Sequence, residues 1–446
     1  MAMSAAIIWD IRSTATGAML NGGGFKGGAS GTDYSQQDTA QWNNTDLTCE
    51  LGSTNVVSLL STFTSATVGN VMHITAGTNM TIGWYEITAY VDANTVTLDR
   101  TPSPSIAGTA GTFYIGGSLN IRSSIDDDFF EQLVAGQTVY IKDGDYLLGE
   151  SISLSVAKGT AANPITVAGW TATRGDTPTG IARPEISASN KGCHFGDYFI
   201  IKNIRFNCTG TTNCTVDVSG QIHNCKALNS SADADRFGFN LGTNGVIENC
   251  ESQSTNGIAI NCGGASVISG CYVHNSSVGI TSSGSAAPLV INCIIDTCAT
   301  GILLAGGCVR SYLLGNTLYG AETPAGTAIN LGASSNNTIL NNIIYGFVTG
   351  VSATTENSTN YLDYNVYYNT TTENTNTTEG AHGSTDTDPA FTDAANADFR
   401  VGVAMKALGF PSAFNGAHAS CISYVDPGAV QRVEPTGGGG EASHVF

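Results

Sequence analysis

The sequence predicts an all-β protein whose main part is a parallel β-solenoid, in which each turn of chain stacks on the turn before it. Between Cys225 and Asn365, a branched aliphatic residue followed by Cys or Asn recurs every 21 to 26 residues. Only 12% of the residues are charged although 41% are hydrophobic, and the 54 glycines follow no three-residue period. A period of about 20–25 residues with short β-branched runs and Gly/Asn turns is typical of solenoids.

The net charge of −19, from 17 Lys and Arg against 36 Asp and Glu, excludes several classes of partner. The few basic residues form no stripe, so neither nucleic acid nor an anionic membrane is an expected partner. No run approaches the ~18 apolar residues that a transmembrane helix needs. Residues 1–12 contain no basic segment and only a short apolar patch, so we expect no signal peptide and synthesis in a cytoplasm.

The repeat is carried by a ladder of small side chains that are expected to point inward and stack on their equivalents in neighbouring turns. A branched aliphatic residue stands three positions before each of them. Stacked Asn amides can bond the turn backbone, and a thiol fills a similar volume. We therefore expect reduced, structural cysteines and no metal or cofactor, since no paired cysteines have zinc spacing. The ladder positions are Asn203, Cys225, Cys250, Cys271, Cys293, Asn316, Asn342 and Asn365.

Changes in composition divide the chain into five regions. Alternating apolar and polar residues predict a small antiparallel module after a Gly- and Ser-rich start. A short helix is expected at residues 124–133, where three Asp residues favour the first turn. The regions are 1–50, an N-terminal attachment segment; 51–120, the small β module; 121–385, the parallel β-helix; 386–435, a closing segment; and 436–446, a flexible tail.

Short motifs at both ends of the chain resemble known proteins. The C-terminal motifs and residues 136–170 resemble the ending and the opening of right-handed β-helix proteins of the pectate-lyase-like superfamily. The N-terminal motifs are similar to the leading segment of β-helix proteins encoded by tailed bacteriophages. The motifs are Asp388-Pro-Ala-Phe391, Asp398-Phe-Arg400 and Asp426-Pro-Gly-Ala-Val-Gln431, and Trp9-Asp10, Asn21-Gly-Gly-Gly-Phe25, Gly31-Thr-Asp-Tyr-Ser-Gln36 and Gly83-Trp-Tyr-Glu-Ile-Thr88.

This resemblance implies a structural protein of a phage particle, of the tailspike, head-fibre or capsid-decoration type. Its N-terminal part would attach to other virion proteins, while the right-handed β-helix stabilises the particle or binds host-surface glycan. The expected location is the virion. The resemblance also implies a second class, a polysaccharide lyase or glycoside hydrolase, and a third, a head decoration without any ligand.

The case for catalysis is limited to a few acidic residues. A uronate lyase needs converging basic groups, and the basic residues of the repeat do not align in one register. A glycosidase needs two carboxylates. The candidates are Asp233, Asp235 and Glu251. Solvated turn charges are the competing interpretation, and the sequence favours a protein without enzymatic activity.

Three tyrosines stand three positions after successive ladder residues and are expected to form an outward-facing column. These residues are Tyr319, Tyr345 and Tyr368. An exposed aromatic face of this kind is unusual for a monomer. It has three interpretations: a subunit contact in a homotrimer, a surface covered by residues 386–430 of the same chain, or a platform for glycan rings.

Overall fold

A computed structural model describes most of the chain and divides it into two compact units, residues 1–207 and residues 208–446. The described residues are 3–16, 19–120, 126–149, 151–153, 158–189, 192–210, 216–230, 236–285, 287–305, 307–356, 359–405, 408–409 and 427–430. The predicted tail, 436–446, lies outside them.

The first unit contains strands and one short α-helix among its described residues. The α-helix, α1 (Asp126–Gln132), lies within the range predicted for it. Two 3-10 helices span Ser65–Thr67 and Gly180–Ala182. The strands are β1 (Ile7–Ile11), β2 (Gly24–Lys26), β3 (Trp42–Cys49), β4 (Asn55–Val57), β5 (Val71–Thr78), β6 (Gly83–Asp92), β7 (Thr95–Leu98), β8 (Gly108–Ile115), β9 (Thr138–Lys142), β10 (Asp145–Leu147), β11 (Ile152–Ser153), β12 (Ile165–Trp170), β13 (Glu185–Ser189), β14 (Cys193–Phe195), β15 (Phe199–Lys202) and β16 (Arg205–Thr209).

Strands β3 to β8 close into a small antiparallel barrel in the order β3-β4-β7-β6-β5-β8. Its core contains Phe63, Met72, Tyr85 and Phe113, all buried. Alternate residues of β7 and of the end of β8 point into this core, as expected for strands with one buried face. The barrel begins at Trp42, so the predicted boundary at residue 51 falls too late.

The N-terminal residues belong to a β-helix sheet rather than to a separate segment. Strand β1 pairs in parallel with β9, with Trp9 opposite Val139, and β9 pairs in parallel with β12. Ile7, Trp9 and Ile11 are fully buried. The short apolar run is therefore a buried parallel strand, and β2 pairs with it in the antiparallel direction.

The second unit repeats a three-strand coil. Two 3-10 helices span Ala394–Asn396 and Val403–Met405, and none of the described helices in either unit is long and apolar enough to cross a membrane. The strands are β17 (Val216–Val218), β18 (Gln221–His223), β19 (Lys226–Asn229), β20 (Phe237–Leu241), β21 (Val246–Glu248), β22 (Glu251–Ser254), β23 (Ile258–Cys262), β24 (Val267–Ser269), β25 (Tyr272–His274), β26 (Val278–Ser283), β27 (Leu289–Ile291), β28 (Ile294–Asp296), β29 (Thr300–Ala305), β30 (Tyr312–Leu314), β31 (Thr317–Tyr319), β32 (Thr327–Asn330), β33 (Thr338–Leu340), β34 (Ile343–Tyr345), β35 (Thr349–Ser352), β36 (Tyr361–Asp363), β37 (Val366–Tyr368), β38 (Thr372–Thr375) and β39 (Ser384–Thr385).

Each coil of the second unit contributes one strand to each of three parallel sheets. Sheet 1 has the order β18-β21-β24-β27-β30-β33-β36, sheet 2 the order β19-β22-β25-β28-β31-β34-β37-β39, and sheet 3 the order β17-β20-β23-β26-β29-β32-β35-β38. The aliphatic position of the repeat stays in register, since Ile222 pairs with Ile247 and Ile247 with Ile268. The predicted all-β fold, a parallel β-helix with a small antiparallel module, is confirmed.

The ladder lies between sheets 1 and 2 and is buried. The seven ladder residues Cys225, Cys250, Cys271, Cys293, Asn316, Asn342 and Asn365 are each 0% exposed. The Asn side chains bond from coil to coil: Oδ1 of Asn342 accepts from the backbone N–H of Asn316 (2.9 Å), and Nδ2 of Asn342 donates to the carbonyl of Leu313 (3.0 Å). The described cysteines are buried, and no two of them are joined in a disulfide. Burial raises the pKa of Cys262 and of Cys298 to about 12, so these thiols stay protonated at neutral pH.

Asn203 is not a ladder residue, contrary to the prediction. Its φ of 58° lies in the left-handed region, as do those of Asn224 and Asn249, the residues directly before two ladder cysteines. The next residue, Ile204, is fully buried instead. Asn suits both the ladder and the left-handed turn, so residue type alone placed Asn203 one position out of register.

Glu379 closes the Asn ladder at its C-terminal end. Its Oε1 accepts from the backbone N–H (3.2 Å) and from Nδ2 (3.1 Å) of Asn365, and the Tyr367 hydroxyl donates to its Oε2 (2.7 Å). The carboxylate thus replaces the next Asn amide. Burial raises the pKa of Glu379 above its ordinary value, and the hydrogen bonds from Tyr367 and Asn365 lower it by less.

This end cap predicts a pH-dependent stability. The pKa of Glu379 is higher in the folded chain than in the unfolded chain. The stabilisation that this difference provides is therefore complete below the unfolded pKa of about 4.3 and is lost as the pH rises through the folded-state pKa. Glu379→Gln keeps an acceptor without the charge and is expected to melt above wild type at neutral pH. Glu379→Ala leaves the Asn365 N–H unpaired and is expected to cost about 1–3 kcal/mol. Thermal unfolding at acidic and neutral pH measures both effects; a Gln variant that follows wild type at every pH contradicts the argument.

Candidate functional site

The outer face of sheet 2 carries a cluster of ionisable side chains that includes Glu251, one of the three catalytic candidates. In each coil, the first and third residues after the ladder point outward while the second points into the core. Outward residues from four successive strands meet here. This acid-base cluster consists of Lys226, Glu251, Tyr272, His274 and Asp296.

Glu251 lies at the centre of the cluster, on β22. Its Oε1 accepts from Lys226 Nζ (2.6 Å), which stands opposite it on β19, and from His274 Nε2 (3.1 Å) on β25. Burial raises the pKa of Glu251, but the hydrogen bond from His274 and the ion pair with Lys226 outweigh burial and place this pKa below its ordinary value. Glu251 is therefore ionised at neutral pH.

The amide of Asn275 holds the His274 ring in one orientation. Asn275 Nδ2 donates to His274 Nδ1 (3.0 Å), and Asn275 Oδ1 accepts from the Thr297 hydroxyl (2.8 Å). These contacts orient the Asn275 amide and leave the proton of a neutral His274 on Nε2, facing Glu251. The His274 ring also stacks on Tyr272, with 4.6 Å between ring centres.

The second carboxyl group of the cluster, Asp296, titrates in the opposite direction. It accepts a hydrogen bond from the Tyr272 hydroxyl at Oδ2 (2.9 Å). Burial raises the pKa of Asp296 above its ordinary value, while this hydrogen bond and the nearby His274 lower it by less. Asp296 is thus the carboxyl group more inclined to hold a proton, and Glu251 the one more inclined to stay charged.

Two carboxyl groups with pKa values displaced in opposite directions are suited to general acid–base chemistry. The group with the raised pKa donates a proton to a leaving oxygen, and the ionised group accepts one from water or stabilises positive charge. In the cluster these groups are Asp296 and Glu251. Tyr272 and His274 lie between them: the Tyr272 hydroxyl donates to Asp296, and His274 Nε2 bonds Glu251.

Only part of this cluster followed from sequence reasoning. Asp233 and Asp235 lie outside the described residues. The predicted candidate Glu251 is joined by four residues that the sequence did not combine into a site. The available signal was the register of the repeat, because Lys226 and Tyr272 stand one position after the ladder, and His274 and Asp296 three positions after it.

The tyrosine column continues the +3 register of the same face. Asp296 pairs with Tyr319, and Tyr319 with Tyr345. The two tyrosine rings stack with 4.9 Å between centres. Their hydroxyls donate to the two carboxylate oxygens of Glu322, at 3.0 and 2.8 Å.

The chain's own closing segment covers this column. Phe391 and Phe399 place their ring centres 6.1 and 5.5 Å from that of Tyr319, and only 9% of Tyr319 and 8% of Tyr345 is exposed. Of the three interpretations of the column, coverage by the same chain is the one the structure shows for these two residues. Tyr368 is half-buried beside them. A cavity of about 420 Å³ remains between Tyr319, Tyr345 and residues 388–395.

The described part of the chain contains no group of three or more His, Cys, Asp or Glu side chains placed to hold a metal ion. The His223 imidazole lies apart from His274, on sheet 1, where its Nδ1 is 3.2 Å from Glu248 Oε2.

Comparison with known proteins supports the fold. Residues 203–370 match the family described as "Right handed beta helix region", so the predicted handedness is confirmed. No curated protein matches the sequence. Solved structures with some likeness include pectate lyase Pel9A (14% identity, TM-score 0.40, covering 71% of this chain and 92% of that one) and a rhamnogalacturonan lyase (14%, 0.39, 57% and 81%). Another is an α-1,3-glucanase from Streptomyces thermodiastaticus, with 10% identity and a TM-score of 0.31, covering 76% of this chain and 88% of that one. Likenesses at these TM-scores say nothing about activity.

Proposed function

We propose that this chain is a structural protein of a tailed-bacteriophage particle, in which the β-helix serves as a stable shaft and contacts host-surface polysaccharide. The N-terminal unit would attach it to other virion proteins. The N-terminal motifs and the low share of charged residues, 12%, support this role. So do the buried cysteines of the described residues, which form no disulfide with one another, because reduced thiols fit a chain made in the host cytoplasm and assembled there.

The observation that carries the proposal is the hydrogen-bonded ladder with its end cap. The backbone N–H of each ladder residue donates to the side chain one coil further along. The donors are Cys293, Asn316, Asn342 and Asn365, and their acceptors are the side chains of Asn316, Asn342, Asn365 and Glu379, in that order. A stack of this kind gives an elongated element resistance to unfolding without a large globular core. Such resistance is what an exposed part of a particle requires.

Mass spectrometry of purified particles from a phage that encodes this chain tests the role directly. The chain is expected among the virion proteins, and its absence from infectious particles overturns the proposal. We also propose a homotrimer, although the covered tyrosine column is not its contact. Light scattering is expected to give a mass near three times 46.0 kDa, and a mass of one chain overturns the trimer.

A second candidate function is hydrolysis of a polysaccharide, favoured by the opposed pKa shifts in the acid-base cluster. Asp296 would protonate the glycosidic oxygen, and the Glu251 carboxylate, two strands away, would activate the attacking water. Glu251→Gln and Asp296→Asn are each expected to reduce depolymerisation by at least roughly 100-fold, the usual contribution of a positioned acid or base.

Glu248→Gln is the matched control for this test, since Glu248 is an acidic residue on the preceding strand of the same coil but on sheet 1. It is expected to retain full depolymerising activity. Reducing-end release from a panel of bacterial polysaccharides measures the rates. If the wild-type chain releases no ends from any of them, or if the cluster variants match wild type, the hydrolytic function is wrong.

A further inference from the structure

Sheet 1 carries an uncharged column on its outer face that belongs neither to the acid-base cluster nor to the covered tyrosines. Successive strands place one residue above the next in direct register, from β18 to β36. None of the seven carries a charge. This outer column consists of Gln221, Val246, Val267, Leu289, Tyr312, Thr338 and Tyr361.

Two tyrosines of the outer column are exposed. Tyr312 is 48% and Tyr361 52% exposed, in contrast to the covered Tyr319 and Tyr345. Tyr312 pairs with Thr338 and Thr338 with Tyr361, so the two tyrosines are two strand spacings, ~10 Å, apart along the helix axis. A small side chain separates two aromatic rings, which leaves room for a ligand to span them.

Polar side chains surround the hydroxyl group of Tyr361. The Tyr361 hydroxyl donates to Asp363 Oδ2 (3.1 Å), and His382 Nδ1 lies 2.9 Å from the same oxygen. The His382 ring stacks on Tyr364 with 4.4 Å between ring centres. Tyr361 therefore has an anchored hydroxyl beside hydrogen-bonding groups, a combination suited to a ligand with apolar faces and hydroxylated edges.

We propose that the outer column binds an uncharged oligosaccharide that lies along the helix axis and stacks on Tyr312 and Tyr361. This inference rests on the proposed glycan attachment and specifies its ligand class and its place. A pyranose ring has an apolar face for each tyrosine and hydroxyls for the groups around Asp363. A polyanionic glycan is disfavoured, since the column offers no cation and the chain carries a net charge of −19.

Binding of the full-length chain to immobilised oligosaccharides, neutral glucans and galactans beside uronate oligomers, tests the proposal. Wild type is expected to bind a neutral member and not the uronates. Tyr312→Ala and Tyr361→Ala are each expected to weaken binding by roughly tenfold, while Tyr312→Phe retains it because the ring face is kept. Tyr90→Ala, which removes an exposed tyrosine of the barrel, is the matched control and is expected to bind as wild type does.

The outcomes separate this inference from the proposed function. If the Tyr312 and Tyr361 variants bind glycan as well as wild type does, the outer column is not the binding site. The proposed contact with host-surface polysaccharide survives that result. Binding to uronates alone overturns the ligand class. Binding to no glycan overturns this inference and the proposed polysaccharide contact, while the virion role is decided by mass spectrometry of the particles. If the Ala variants instead reduce the solution mass measured by light scattering, the column is a contact between copies of the chain, which overturns the glycan assignment.

Discussion

Replacing Asn342 with Ala is expected to lower the free energy of unfolding of the β-helix by about 3–6 kcal/mol. The Asn342 side chain accepts from the backbone N–H and from Nδ2 of Asn316 and donates to the carbonyl of Leu313, all in a fully buried layer. Ala removes all three hydrogen bonds in a layer shielded from water, where Asn316 Nδ2 keeps only its bond to the Val290 carbonyl (3.0 Å). Each unpaired buried group costs about 1–3 kcal/mol, so the losses accumulate at one position.

Chemical denaturation followed by far-UV circular dichroism measures this effect. Asn396→Ala is the matched control, because Asn396 is exposed and its amide donates to the nearby Asp393 carboxylate at the surface. That substitution is expected to change stability by less than about 0.5 kcal/mol. An equal decrease in the free energy of unfolding of the two variants would show that the ladder hydrogen bonds stabilise the β-helix no more than a surface hydrogen bond does.

Replacing Phe399 with Ala is expected to release the closing segment from the tyrosine column. The Phe399 ring is 1% exposed and contacts both Phe391 and Tyr319, with ring centres 5.3 and 5.5 Å away. Removing a buried Phe side chain typically costs about 3–5 kcal/mol. Since the segment packs on the helix through few large side chains, this loss is expected to open it locally before the coils unfold.

Limited proteolysis and binding of a hydrophobic dye detect this opening. The Phe399→Ala chain is expected to be cut within residues 386–405 and to bind the dye through the uncovered Tyr319 and Tyr345. Val403→Ala serves as the control, since Val403 lies in the same segment and is 75% exposed. If both variants resist proteolysis as well as wild type does, Phe399 does not hold the closing segment on the tyrosine column.

The β-helix could be predicted because its pattern is local and repeated. A coil contacts only the coils next to it, so the same requirement recurs at nearly the same spacing: an aliphatic residue, a turn, then Cys or Asn. Cys225, Cys250 and Cys271 report this spacing directly. The prediction failed at Asn203, because Asn is suited both to a ladder position and to the left-handed turn that precedes it. Residue type alone does not distinguish the two positions.

The candidate site could be predicted only in part, because its members come from different coils. Glu251, His274 and Asp296 are about one period apart in sequence and become neighbours only when the register of every intervening turn is known. The opposed pKa shifts of Glu251 and Asp296 depend on burial and on contacts across strands, neither of which is a property of residue type.

The sequence by itself therefore determined the period, the all-β class and the identity of the stacked residues, since these depend on side-chain size and turn preference repeated in each coil. The tertiary structure alone decided which outward surfaces remain free. The equally aromatic positions Tyr319 and Tyr312 differ because the closing segment packs Phe391 and Phe399 over the first and leaves the second exposed. The path of a non-repeating segment is set by a few long-range contacts, and no periodic pattern encodes them.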